Sequence, residues 1–88
     1  MLTVIEDPTV TEKIDAESAK YPRLEEAFEA LKWWLARNPD SGEILDDYHW
    51  LYKQSGDRQI NIPALIAIYT FDSTSVQIIS ICIRVPPA

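Results

Sequence analysis

From Leu24 to Leu35 the apolar positions Leu24, Phe28, Leu31 and Leu35 recur at spacings of four, three and four, and Ala27, Ala30 and Trp34 widen the stripe. That period predicts an amphipathic helix from about Pro22 to Arg37. Glu25, Glu26 and Glu29 lie near its start, where the helix dipole favours acid, and Arg37 lies in its last turn, where it favours base. Asn38-Pro39-Asp40-Ser41-Gly42 ends it, because proline cannot continue a helix and glycine allows a sharp turn.

Upstream, Leu2 to Glu6 suits a short strand. Asp7-Pro8-Thr9 then opens a helix predicted from about Pro8 to Lys20, with Thr9 and Glu12 at capping-box spacing and a narrow apolar stripe of Val10 and Ile14. Pro22 interrupts it. From Glu43 onward the period drops to two. Tyr48, Trp50 and Tyr52 alternate with His49, Leu51 and Lys53, which predicts a strand with three aromatics on one face. Ser55-Gly56-Asp57-Arg58 reads as a turn, and Ala64 to Phe71, apolar on both faces, reads as a central strand. Asp72 to Ser75 turns again, and Val76 to Val85 forms a last strand stopped by Pro86 and Pro87. The expected architecture is α+β: a short N-terminal strand, a two-helix hairpin, then a three-stranded antiparallel β-meander packed on the helices.

Composition narrows the classes. A chain of 88 residues is expected to form one domain spanning 1–88. Its 47% hydrophobic and 25% charged content predicts a folded chain, not a disordered one. Cys82 is the only cysteine, which excludes an intramolecular disulfide and fits a reducing cytoplasmic setting. The N-terminal residues lack a basic leader, and the longest nearly apolar run, Ile62 to Phe71, is too short to span a bilayer, so no membrane role is expected. Net charge is −6, unevenly placed. Residues 1–47 carry twelve acidic and five basic side chains, whereas residues 48–88 carry two acidic and three basic ones, Lys53, Arg58 and Arg84. Nucleic-acid binding normally rests on a clustered basic surface, and the sequence offers no such cluster.

The layout resembles the RelE/ParE superfamily of type II toxin–antitoxin system toxins. The residues carrying the resemblance are Leu31-Lys32-Trp33-Trp34-Leu35, Asn38-Pro39-Asp40-Ser41-Gly42, Ile68-Tyr69-Thr70-Phe71-Asp72 and Val76-Gln77-Ile78-Ile79. It implies a bacterial, growth-inhibiting toxin bound by a cognate antitoxin, acting on ribosome-bound mRNA as an endoribonuclease or on DNA gyrase by contact, with no cofactor and no metal. The nuclease members rely on basic residues with a tyrosine and, in some, a histidine on the sheet face. Carried over, these are His49, Lys53, Arg58, Tyr69 and Arg84. Cleavage through a 2′-hydroxyl needs a base, an acid and positive charge at the phosphate. Two departures stand out: Ile66 occupies a position where the family often has arginine, and Arg84-Val85-Pro86-Pro87 replaces a Gly-His-Arg-like run. Both favour action by protein binding over RNA cleavage. A non-toxic protein-interaction domain of the same fold is the alternative.

Each of these residues also has a plainer reading. His49 suits a surface strand position, since no acid or nucleophile is specified beside it. Tyr48, Trp50 and Tyr52 suit sheet packing more than base stacking. Cys82 suits a small buried apolar role. Trp33 and Trp34 point about 100° apart on a helix, so one is expected in the core and one at the surface; an exposed tryptophan, with Trp50, is a candidate partner contact. A homodimer is compatible with these features.

Overall fold

The computed structural model describes residues 1–85, so the expected stop at Pro86 and Pro87 lies outside the described residues. Its elements are β1 (Thr3–Glu6), α1 (Pro8–Glu17), α2 (Leu24–Arg37), β2 (Glu43–Ile44), β3 (Trp50–Gln54), β4 (Ala64–Phe71) and β5 (Ser75–Arg84), with 3-10 turns at Pro39–Ser41 and Arg58–Ile60.

Both helices are shorter than their sequence patterns suggest. Asp7, not Thr9, caps α1: its carboxylate accepts from the Thr9 N–H at 3.0 Å and the Thr9 hydroxyl at 2.7 Å, while Pro8 fills a first-turn position that needs no donor. The helix stops at Glu17 rather than Lys20, where the Ser18 hydroxyl donates to the Ile14 carbonyl at 2.6 Å and occupies an acceptor of the last turn. The start of α2 has no side-chain cap, and Arg23 is engaged with Glu26 instead, at 2.7 Å.

The sheet is five-stranded and mixed, in the order β1-β5-β4-β3-β2. β3, β4 and β5 pair antiparallel in sequence order, β1 lies parallel to β5, and β2 returns antiparallel on β3 at the far edge. The expected short N-terminal strand is an edge of this sheet, which has five strands where a three-stranded meander was expected. Parallel neighbours cannot be joined by a tight turn, and β1 and β5 are separated in the chain by α1, α2 and β2 to β4. β2 has only two residues, too few to show a period.

One bulge aligns the last strand with the core. Ile68 pairs with Ser80 and Tyr69 with Ile78, leaving Ile79 as an extra residue in β5. On one side of it Val76 and Ile78 are buried, and on the other Ile81. The extra residue switches the alternation, so that apolar positions of opposite parity share one face.

That face is covered by the helices. Val10, Ile14, Leu24, Phe28, Leu31 and Leu35 pack there on Leu65, Ala67, Tyr69, Val76, Ile78 and Ile81. The opposite face carries Lys53, Ile66 and Cys82 side by side in register, then Leu51, Ile68 and Ser80, with Arg84 beside Ala64 at one end. Ile66, Ile68 and Leu51 are only partly buried there. Among the described residues, no helix is long and apolar enough to cross a membrane.

Candidate functional site

The nine residues between β3 and β4 fold into a pinned loop. Asp57 and Ile62 exchange two backbone hydrogen bonds of 2.9 Å, closing the turn that contains the 3-10 segment Arg58–Ile60. The Asp57 carboxylate accepts from the Gln59 N–H at 2.9 Å, and Asn61 takes the left-handed conformation (φ 58°) that asparagine tolerates better than most residues. Arg23 reaches across to donate to the Ile60 carbonyl at 3.0 Å, tying the loop to the start of α2. Gly56 is required for close approach: a Cβ there would stand 2.6 Å from the Ala64 nitrogen and 2.7 Å from the Pro63 carbonyl carbon.

This loop places Arg58 over the same space that Lys53 on β3 and Arg84 on β5 border. The three line a cavity of about 610 Å³ together with Ser55, Gly56, Gln59, Ala64 and Ile66. Among the described residues none of the three forms an ion pair, whereas Lys32 is paired with Glu6 and Glu29, and Arg23 with Glu26. Asp57 is the cavity's one carboxylate. Three cations facing an apolar lining, with one acid occupied in capping a turn, can hold an anion that also carries apolar groups.

The remaining carried-over residues lie elsewhere. His49 places Nδ1 at 2.9 and 3.0 Å from the two Asp46 carboxylate oxygens, and Asp46 also accepts from the Tyr48 and His49 backbone N–H groups. The Tyr48 amide, then the His49 ring, hold the Asp46 carboxyl below its ordinary range. Tyr69 is fully buried on the helix-covered face, opposite to the cations, and its hydroxyl donates to the Pro39 carbonyl at 2.5 Å. Burial pushes its phenol up, opposed by a hydrogen bond from the Gly42 backbone. Neither His49 nor Tyr69 lines the cavity. Of the five residues, the fold gathers Lys53, Arg58 and Arg84, without His49 or Tyr69; the one carboxylate beside them, Asp57, accepts from the Gln59 N–H.

No protein-family model, curated protein or solved structure matches this chain.

The tryptophans depart from expectation. Both Trp33 and Trp34 are exposed, at 56% and 39%, because Leu24, Phe28, Leu31 and Leu35 occupy the core-facing stripe, with Trp33 on the opposite side of the helix and Trp34 on its flank. The Arg37 guanidinium lies 3.9 Å from the Trp33 ring centre, and Trp34 Nε1 donates to the Ser41 hydroxyl at 2.9 Å. Trp50 instead packs with Phe71 and Tyr69, its ring centre 5.2 and 6.5 Å from theirs, as an aromatic cluster over the core. Tyr48 precedes the strand and is 75% exposed, so it shares no face with Trp50 and Tyr52. Cys82 is only partly buried on the open face, not sunk in the core.

Ile66 was legible only as an arginine missing from a family pattern; its place in the fold is an apolar wall of the cavity. Gly56 reads from the sequence only as part of a turn, and Gln59 carries no separate signal. The signal for them was the run from Gly56 to Pro63, whose Asp57 and Asn61 suit a capped, left-handed turn more than an open loop.

Proposed function

We propose that this chain is a toxin-like component of a bacterial type II toxin–antitoxin module, of RelE/ParE-like fold, and that it acts by binding protein partners rather than by cutting RNA. The order of strand, two helices and antiparallel strands supports the fold reading. The observation that carries the mode of action is the separation of charge from proton chemistry. Lys53, Arg58 and Arg84 border one cavity, while Tyr69 is buried on the other face of the sheet and His49 is held by Asp46 in the β2–β3 connection. Phosphodiester cleavage requires base, acid and cation within hydrogen-bond reach of one phosphate. Binding requires only the cations and the shape around them.

The same separation also favours a second reading, a non-toxic interaction domain of this fold. Induced expression in a bacterial host distinguishes the two. The toxin reading predicts growth arrest that persists in His49→Gln and weakens in Arg84→Gln. Normal growth at high expression supports the non-toxic domain, and arrest abolished by His49→Gln alone contradicts the binding mechanism.

A further inference from the structure

The cavity and the open sheet face beside it form one continuous surface whose chemistry specifies a class of partner. Ile66 belongs to both: it lines the cavity, and in register it lies between Lys53 and Cys82 on the sheet. The next row holds Leu51 and Ile68. The surface is thus an apolar strip ending at three cations that, among the described residues, have no ion-pair partners.

Resting on the reading of this chain as a protein-binding module, we infer that this surface docks an acidic, amphipathic peptide segment of a partner protein. The carboxylates of that segment meet Lys53, Arg58 and Arg84, and its aliphatic side chains cover Ile66, Ile68 and Leu51. Charge complementarity selects an acidic occupant, since a segment with no carboxylates leaves three cations desolvated and unpaired. It is a peptide and not a single-stranded nucleic acid for two reasons. No aromatic side chain lines the cavity, whereas unpaired bases are held chiefly by stacking on aromatic rings. The net charge of −6 also opposes a polyanion at long range, while a short segment with two or three carboxylates gains locally without meeting the acidic helices. A second copy of this chain is a poorer occupant, because twelve of its fourteen acidic residues are spread over residues 1–47 on solvated helices and loops rather than gathered beside an aliphatic strip.

Fluorescence anisotropy on the purified full chain tests this with a labelled peptide of about twelve residues built around a Leu-Glu-Leu-Glu-Glu run, capped at both ends. Saturable binding is expected, weakened by salt. Arg84→Gln and Lys53→Gln should each weaken it about tenfold, and His49→Gln should leave it unchanged. Peptides with glutamine for glutamate, or serine for leucine, should fail to bind, and an oligouridylate of similar length should not compete. Lys53, Arg58 and Arg84 are exposed, so circular dichroism is expected to show the variants folded. Three results overturn the inference: no binding of the Leu/Glu peptide at millimolar concentration, affinity unchanged in the Lys53→Gln/Arg84→Gln double variant, or displacement by oligouridylate. Growth arrest is measured separately, so a chain that binds the peptide but arrests no growth refutes the toxin reading alone. A chain that arrests growth but ignores the peptide refutes this inference alone.

Discussion

Replacing Tyr69 with phenylalanine removes one oxygen from a side chain whose ring is fully buried between α2 and the sheet. The ring keeps its packing against Trp50 and Phe71, so the change isolates the hydroxyl. That hydroxyl donates to the Pro39 carbonyl, clamping the turn after α2 to β4. A net hydrogen bond contributes about 1 kcal/mol, and leaving partly buried partners unmatched adds a similar amount, so a loss of about 1–2 kcal/mol is expected. For a chain of this size each kcal/mol shifts the midpoint by about 4–8 °C, so Tm should fall by about 5–15 °C in a thermal melt followed by circular dichroism. Growth arrest at a temperature where the variant remains folded should be unchanged. A variant with wild-type Tm and no arrest would refute the reasoning, since it would make the hydroxyl a reacting group instead of a clamp.

Gly56→Ala should push the β3–β4 loop off the start of β4, because every close neighbour of the added carbon is backbone; peptide affinity should drop along with stability, which a urea titration read beside the anisotropy assay checks. Leu31→Ala, at a fully buried site, should cost about 2–5 kcal/mol, a large share of the roughly 4–13 kcal/mol available to a chain of this length, and should broaden or abolish cooperative unfolding. The Glu6–Lys32 pair makes stability pH-dependent at both ends. Burial raises the Glu6 carboxyl, but hydrogen bonds from Lys32 and Thr11 outweigh it and hold the group below its usual 4.5. Its contribution is therefore full above that value and lost as pH falls through the lower folded one. Burial lowers the Lys32 ammonium, but Glu29 and Glu6 outweigh it and hold it above 10.5, so its contribution is full below that value and lost as pH rises through the higher folded one. Urea midpoints measured across pH should show both flanks flattened in Lys32→Gln, and an unchanged acid flank would count against the pairing.

The helical periods were legible because α2 buries one stripe, and β4 was legible to the residue because a strand apolar on both faces stands out from its turns. The start of α1 at Pro8 was legible, but its end at Glu17 was not, since the Ser18 hydroxyl acts through a side-chain hydrogen bond to the Ile14 carbonyl that leaves no trace in the period. Pairing of β1 with β5 depends on where a crossover lands, and the two residues of β2 carry no period at all. In the site, Lys53, Arg58 and Arg84 were visible as the only cations of the C-terminal half, but their convergence depends on a loop closed by Asp57 and Ile62. The separation of Tyr69 from these cations was not legible, because a strand's sequence does not say which face the helices cover.

The central claim is that this chain works by contact and not by cutting. Purified chain added to ribosomes translating a defined mRNA, with 5′ ends mapped by primer extension, tests it directly. The account predicts no new ends at any concentration that arrests growth in cells, and new ends that vanish in His49→Gln or Tyr69→Phe would contradict it.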